Sequence, residues 1–328
     1  MSIRRIAKMV TENKNMMWAY LLQLNHNLGL PFGEKQTCFM ENQTDDDVWR
    51  QMIDFLASQG FNTVLIDVGD SLEYETHPEI SIKGAWSKDK LKKELEYIRS
   101  RGITPIPKLD FSANNHMWLG EYSRMVSTPL YYKVCKDLIT EVAEVFGYPK
   151  YFHLGMQKET PEYQKDRDYL CIRQSELWWH DLYFLIDVCE RIGCQPWIWS
   201  HWLWSDLTTN KGKTDEYLKR MPRSVLQSNG WYVAIKKNKQ GEYINDPFQA
   251  YLRMEEAGFE QVPTCSNCNG FRDNADITVG ELKDKIAPER LKGYMAVPFR
   301  KTAQGYQYRL MNEAAKLSTA RNKFYPEV

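Results

Sequence analysis

Short apolar runs and longer amphipathic stretches alternate along the chain from end to end. The apolar run 17–24 (MWAYLLQL) predicts a strand. Thr44 then reads as a helix cap, with Asp45, Asp46 and Asp47 in a first turn where the helix dipole favours negative charge. Val48, Met52, Phe55 and Leu56 recur at helical spacing until Gly60 ends the helix. The run 63–66 (TVLI) follows, the pattern expected of a strand covered on both faces. The unit repeats as a helix over 87–101, a strand over 103–109, a helix over 129–146 capped by Thr128 with proline at its first position, and a strand over 151–154. Helices over 173–192, 213–221, 247–257, 278–286 and 302–320 then alternate with strands over 195–199, 225–228, 261–264 and 291–297.

Eight strands in strict alternation with eight helices, and no composition break between them, predict an α/β fold: a single (β/α)8 TIM barrel domain over 1–328. Such a barrel needs about 250 residues, so the surplus fits long loops after the first five strands. The alternative, a doubly wound open sheet, lacks a glycine-rich phosphate loop after its first strand.

Charge and cysteine content narrow the class. Lysine and arginine number 43 and aspartate and glutamate 43, and no basic stripe appears, so no nucleic-acid partner is expected. No apolar run approaches the roughly 20 residues that cross a bilayer, so no membrane partner is expected. The N-terminal residues carry no signal-peptide pattern, and seven cysteines form no disulfide framework. The expectation is a cytoplasmic, reduced protein, although a trimmed exported form would look the same. Oligomeric state is not legible in the pattern, and no cofactor is expected.

The barrel assignment sorts the candidate chemistry, because active sites of this fold lie on the loops after the strands. Those ends carry Gln23 and His26 (strand 1), Asp67, Asp70 and Glu73 (strand 2), Lys108, Asp110 and His116 (strand 3), and His153, Gln157, Lys158 and Glu159 (strand 4). They continue with Trp199, His201, Trp202, Trp204 and Asp206 (strand 5), Asn229 and Trp231 (strand 6), Asn267 (strand 7) and Arg300 (strand 8). Aromatics beside amides suit a carbohydrate, whose C–H faces stack on rings and whose hydroxyls take polar partners. Cys265-Ser266-Asn267-Cys268 reads as a rim loop, with Asn267 its useful residue, and Trp178-Trp179 as at least partly core.

The segment 151–160 (YFHLGMQKET) resembles the His-x-Gly-x-Asp-Glu motif of the family 20 glycoside hydrolases, the β-N-acetylhexosaminidases. It is closer still to a group of bacterial barrel proteins of glycoside hydrolase type with the pattern HLGMDEET. Further landmarks of that group resemble 105–109 (PIPKL), 121–129 (EYSRMVSTP), 178–181 (WWHD), 196–200 (PWIWS) and 287–293 (APERLKG), which span most of the chain. The resemblance implies the barrel fold and a hydrolase class. In the hexosaminidases the Asp of the pair orients the acetamido group and the Glu is the general acid, but here Gln157 and Lys158 occupy those positions. Gln does not titrate, and Lys near its reference value donates poorly to a glycosidic oxygen.

Three readings follow. In the first, a glycosidase uses a relocated pair, with Glu159 as general acid and Asp110 as nucleophile, base or stabiliser. Asp67, Asp70 and Glu73 stand in reserve, and two carboxylates about 5–9 Å apart are required. Trp199, Trp202, Trp204 and Trp231 would stack on sugar faces. Asp67, Lys108, His153, Gln157, Lys158, His201, Asn229 and Asn267 would hold hydroxyls or an anionic substituent, Lys158 pointing to an acidic sugar. In the second, the barrel binds sugar without cleaving it. In the third, His26, His116, His153 and His201 hold a metal for hydrolysis, although no His-x-His or i, i+4 pair anchors it.

Overall fold

The computed structural model describes residues 16–24, 40–165, 167–200, 211–232, 236–237, 239–240, 243–244, 247–268 and 270–327. Eight parallel strands form the centre: β1 Met17–Gln23, β2 Thr63–Asp67, β3 Thr104–Lys108, β4 Tyr151–His153, β5 Gln195–Trp199, β6 Leu226–Ser228, β7 Thr264–Cys265 and β8 Gly293–Ala296. Neighbours in the sheet run β6-β5-β4-β3-β2-β1-β8-β7. Parallel bridges Gln227–Gln261 and Gly230–Thr264 join β6 to the β7 segment and close the ring. The α-helices among the described residues follow the strands in turn: α1 Asp46–Ser58, α2 Lys88–Ser100, α3 Pro129–Val145, α4 Glu176–Arg191, α5 Lys211–Arg220, α6 Gln249–Glu256, α7 Asn274–Leu282 and α8 Gln307–Phe324. The architecture is the (β/α)8 barrel that the alternation predicts. A two-stranded hairpin, Lys236–Lys237 with Tyr243–Ile244, is added in the β6–α6 connection.

Helix starts follow capping chemistry. Ser87 accepts from the Lys90 N–H (3.2 Å), and Thr128 from Tyr131 N–H (3.2 Å), with Pro129 in the first turn. At α1 the cap lies one residue later than expected. Asp45 accepts from the Asp47 and Val48 N–H groups, both at 3.0 Å, while the Thr44 hydroxyl donates to the Leu24 carbonyl. A carboxylate takes that cap more favourably than a hydroxyl because it also meets the positive helix end.

β3 contains two prolines, Pro105 and Pro107, and its hydrogen bonding shows why the barrel accepts them. The Thr104 N–H points to β2, donating to the Asn62 carbonyl at 2.8 Å, and the Leu109 N–H points the other way, to the His153 carbonyl at 3.0 Å. Alternation puts both prolines on the β4 side, where each removes a donor. Pairing of β3 with β4 is accordingly confined to Lys108 opposite His153.

Two apolar cores flank the sheet. Between strands and helices lies the larger one, built on residues such as Val64, Ile66, Trp49 and Leu138. Inside the ring, Ala19, Leu21, Leu65, Ile106, Tyr151 and Trp197 pack with Leu226, Val262 and Met295. The inner set fixes the parity of each strand: side chains two residues further on also point inward, at the C-terminal mouth. That rule delivers Gln23, Asp67, Lys108, His153, Trp199 and Ser228 to one place.

Candidate functional site

The mouth has a polar floor. Register places Gln23 opposite Asp67, Asp67 opposite Lys108, and Lys108 opposite His153 on adjacent strands. Lys108 is completely enclosed, and its ammonium lies 2.5 Å from Asp67 Oδ2 and 3.1 Å from Asp110 Oδ2. Burial alone would pull Lys108 down, but the Asp110 and Asp67 carboxylates outweigh it and hold the ammonium above its ordinary value. The lysine is therefore charged, which excludes it as an amine nucleophile. Burial pushes the Asp67 carboxyl up, against the pull of Lys108.

The two aspartates differ in what else they meet. Asp110 Oδ1 accepts from the Ser112 N–H (3.1 Å) and the Ser112 hydroxyl, and Oδ2 from Asn115 Nδ2 (3.0 Å). With Lys108 added, both its oxygens are occupied by protein donors. Asp67 accepts only from Lys108, through Oδ2. Its side chain is 10% exposed, against 1% for Lys108 and 2% for Asp110, so it is the member of the triad that reaches the mouth.

His153 forms the adjoining wall. Its Nδ1 accepts from the Gly155 N–H at 3.1 Å, which makes the ring the Nε2–H tautomer. The ring lies 5.4 Å from Trp197 and 4.6 Å from Trp199, tilted at 50° and 60°. Trp197 is itself fixed by its indole N–H donating to the Ser228 hydroxyl at 2.6 Å. Trp199 is buried, so it serves as wall rather than as a projecting platform.

Glu159 lies elsewhere, inside the scaffold of the loops. It accepts from the Ala113 N–H (2.7 Å), the Arg173 N–H (2.8 Å) and Arg173 Nε (3.0 Å), and pairs closely with Arg173 Nη2. Arg173 also donates to Asp181 Oδ2 (3.0 Å) and to the Phe111 carbonyl (2.7 Å). Asp181 in turn accepts from Ser127 (2.9 Å) and Tyr132 (2.5 Å). The network, buried at Glu159, Arg173 and Asp181, stitches the β3 loop, the β4 loop and α4 together. Both carboxylates expected from sequence to act on substrate are thus saturated by protein donors, and they stand in two different clusters.

The remaining candidates divide three ways. Gln157 and Lys158 are half-buried on the β4 loop. Glu162 on the same loop is held below its ordinary value by its own backbone N–H, by Thr160 and, more weakly, by Lys158. Asn229 and Asn267 close the ends of β6 and β7, and Asn229 Nδ2 and both amide atoms of Asn267 are buried with no protein partner. Such atoms cost about 1–3 kcal/mol each when unmet, so these strand ends hold unspent hydrogen-bonding capacity. Trp231 is half-buried. His26, His201, Trp202, Trp204 and Asp206 lie outside the described residues. His116 is fully enclosed, and burial with Arg173 and Arg167 nearby drives its ring well below the ordinary histidine value. Among the described residues no group of three His, Cys, Asp or Glu side chains is placed to hold a metal, and no helix is long and apolar enough to cross a membrane.

Sequence reasoning passed over Arg173, Asp181, Ser112 and Asn115, and ranked Asp67 in reserve. The parity of β2 carried the signal for Asp67: a residue two beyond inward-facing Leu65 points into the mouth. The role of Arg173 had no such sign, since it sits in a stretch that reads as helix.

No protein-family model matches the chain, and no curated protein matches it. Among solved structures the barrel is similar to the β-N-acetylhexosaminidase of Bacteroides fragilis, with TM-score 0.60 and 13% identity over 91% of this chain and 65% of that one. It is similar also to the family 20 exo-β-N-acetylglucosaminidase of Vibrio harveyi, with TM-score 0.61 and 12% identity over 96% of this chain and 58% of that one. The Flavobacterium johnsoniae chitobiase gives TM-score 0.56 and 15% identity over 93% and 50%. This chain thus spans less than two thirds of the length of each of them. Its fold is the α/β barrel that those enzymes contain.

Proposed function

We propose that the barrel mouth binds a mono- or oligosaccharide, in a glycoside-hydrolase-like protein that lacks the acid of the hexosaminidases. One observation carries this reading. The two motif positions that would hold the carboxylate pair are Gln157 and Lys158, and the neighbouring Glu159 is committed to Arg173 and the Ala113 N–H. A general acid must reach the substrate, and a carboxylate whose two oxygens are taken up by a buried guanidinium and by backbone N–H groups is turned away from it. What remains at the mouth suits recognition: the open Asp67, the His153–Trp199 wall and amides at the ends of β6 and β7.

A second reading, hydrolysis, is favoured by Asp67. It is the carboxylate of the floor triad with an oxygen left over, and burial raises its carboxyl in the direction a general acid needs. Thermal unfolding across a panel of neutral, acidic and amino-sugar oligosaccharides, with turnover of aryl glycosides in parallel, separates the two. Sugar-dependent stabilisation without turnover is the expected result. Turnover that falls about 10²-fold or more in Asp67→Asn would replace binding by hydrolysis. Neither stabilisation nor turnover for any sugar would overturn both. In the same panel, Lys158→Ala is expected to leave the ratio of acidic to neutral glycan affinity unchanged, because Lys158 already shares the loop with Glu162.

A further inference from the structure

We propose that the ligand carries a free ammonium group, which Asp67 holds at the floor of the mouth; the inference rests on the carbohydrate reading above and names the sugar class as an unacetylated amino sugar. Three features of the floor lead there. The first is charge. Asp67 and Asp110 share a single basic partner, Lys108, so two carboxyl groups face one ammonium. The adjoining His153 ring accepts from the Gly155 N–H at Nδ1 and adds no positive charge, and Gln23 is neutral.

The second feature is which of the two carboxyl groups is open. Asp110 is saturated by Lys108, Ser112 and Asn115. Asp67 spends one oxygen on Lys108 and keeps Oδ1, with the side chain nine-tenths buried and directed into the mouth by the parity of β2. A carboxylate oxygen that reaches the mouth with no protein donor is open to a ligand, and a ligand cation is the partner that compensates its charge as well as its lone pair. A hydroxyl would satisfy the lone pair and leave the charge uncompensated.

The third is what the site does not offer to an acetamido group. The aspartate that would orient it is replaced by Gln157, and Lys158 stands in place of the acid. An N-acetyl group also removes the charge that the floor asks for. A primary amine therefore fits both the open oxygen at Asp67 and the loss at the β4 loop.

Titration calorimetry of the whole chain tests this with glucosamine, N-acetylglucosamine and glucose and their β-1,4-linked di- to tetrasaccharides, at a pH where the amine is protonated. The glucosamine series is expected to bind about tenfold or more tightly than either other series, as a charge-assisted contact gives. Asp67→Asn, which retains an oxygen for Lys108, is expected to erase that preference, so that the variant binds the glucosamine and glucose series equally. Equal binding of the three series by the wild type, or preference for the acetylated one, overturns the ammonium assignment and leaves the carbohydrate reading standing. Absence of binding by all three overturns both. The wild-type comparison decides the matter even if Asp67→Asn does not fold.

Discussion

A Cβ at position 155 would sit 2.1 Å from Asp110 Oδ1 and 2.8 Å from its Cα, and the backbone there has φ +70°. The glycine of the His-x-Gly motif is thus required twice over, by the left-handed turn and by the approach of the β3 aspartate. Met156 follows with φ 51°, so two consecutive residues leave β4 in the left-handed region and turn the chain sharply. This geometry explains how Glu159 ends in the loop scaffold although it is only a few residues from His153. Gly155→Ala is expected to lose about 2 kcal/mol or more in urea unfolding. Because the clash falls on Asp110, the loss should come with altered packing of Lys108 and a weaker sugar response. A variant as stable as wild type would show that the β4 turn is not strained by a side chain.

At the scale of elements, Arg173 is the joint between the two loops that frame the mouth. It binds Glu159 from the β4 loop, the Phe111 carbonyl from the β3 loop and Asp181 of α4. Asn114 adds a second tie between the loops: its Nδ2 donates to the Lys158 carbonyl at 2.6 Å and its Oδ1 accepts from the Thr160 N–H at 3.2 Å. Arg173→Met would strand two buried carboxylates and is expected to cost about 3–5 kcal/mol in chemical denaturation. Adding Glu159→Gln removes one of the stranded charges, so the double variant should lose less than the sum of the singles. Strict additivity would mean that the two side chains act independently, contrary to their contact.

The same elements show what a reader of the chain can and cannot find. Strand and helix positions were legible because burial on one or two faces imprints a period. β5 falls on 195–199 as expected, and α2, α3 and α5 shift by only one or two residues at either end. The start of α4 was misread: the pattern carried the helix back to Arg173, but it begins at Glu176, after Ser175 with φ 45°. That break frees Arg173 to turn inward to its carboxylates. Likewise α8 begins at Gln307 rather than 302, because Thr302 donates to the Gln23 carbonyl (2.9 Å) and Gly305 takes φ 83°. On the β7 segment, Pro263 lacks the N–H that would extend the strand through 261–264. Such departures depend on a partner far off in sequence, which a local pattern does not record. The roles of Glu159 and Asp110 were hidden for the same reason: a carboxylate at a strand end looks alike whether it faces the mouth or an arginine.

At the scale of the whole molecule, the barrel closes through isolated bridges rather than a continuous ladder, and the last helix helps to hold that closure. β6 meets the β7 segment through isolated bridges at Gln261 and Thr264, reinforced by the Thr264 N–H donating to the Asn229 carbonyl at 2.7 Å. Just beyond β7, the Asn267 N–H is shared by both carboxylate oxygens of Glu313 on α8, at 3.0 and 2.8 Å. Glu313 is almost wholly enclosed, and burial pushes its carboxyl up to about 8, against the Asn267 N–H and the more distant Arg300. In the unfolded chain the same group titrates near 4.5. Between those values the folded state holds a proton that the unfolded state has released. This contribution to stability is therefore complete below about pH 4.5 and is lost as pH rises through about 8. The slope approaches about 1.4 kcal/mol per pH unit within the window. Glu313→Gln keeps an oxygen for the Asn267 N–H and removes the titration, so its stability relative to wild type should improve steadily from pH 5 to pH 8 in denaturant melts. Parallel pH profiles for the two proteins would place the proton on another group, and would leave the α8–β7 contact a pH-independent clasp on the barrel's closing seam.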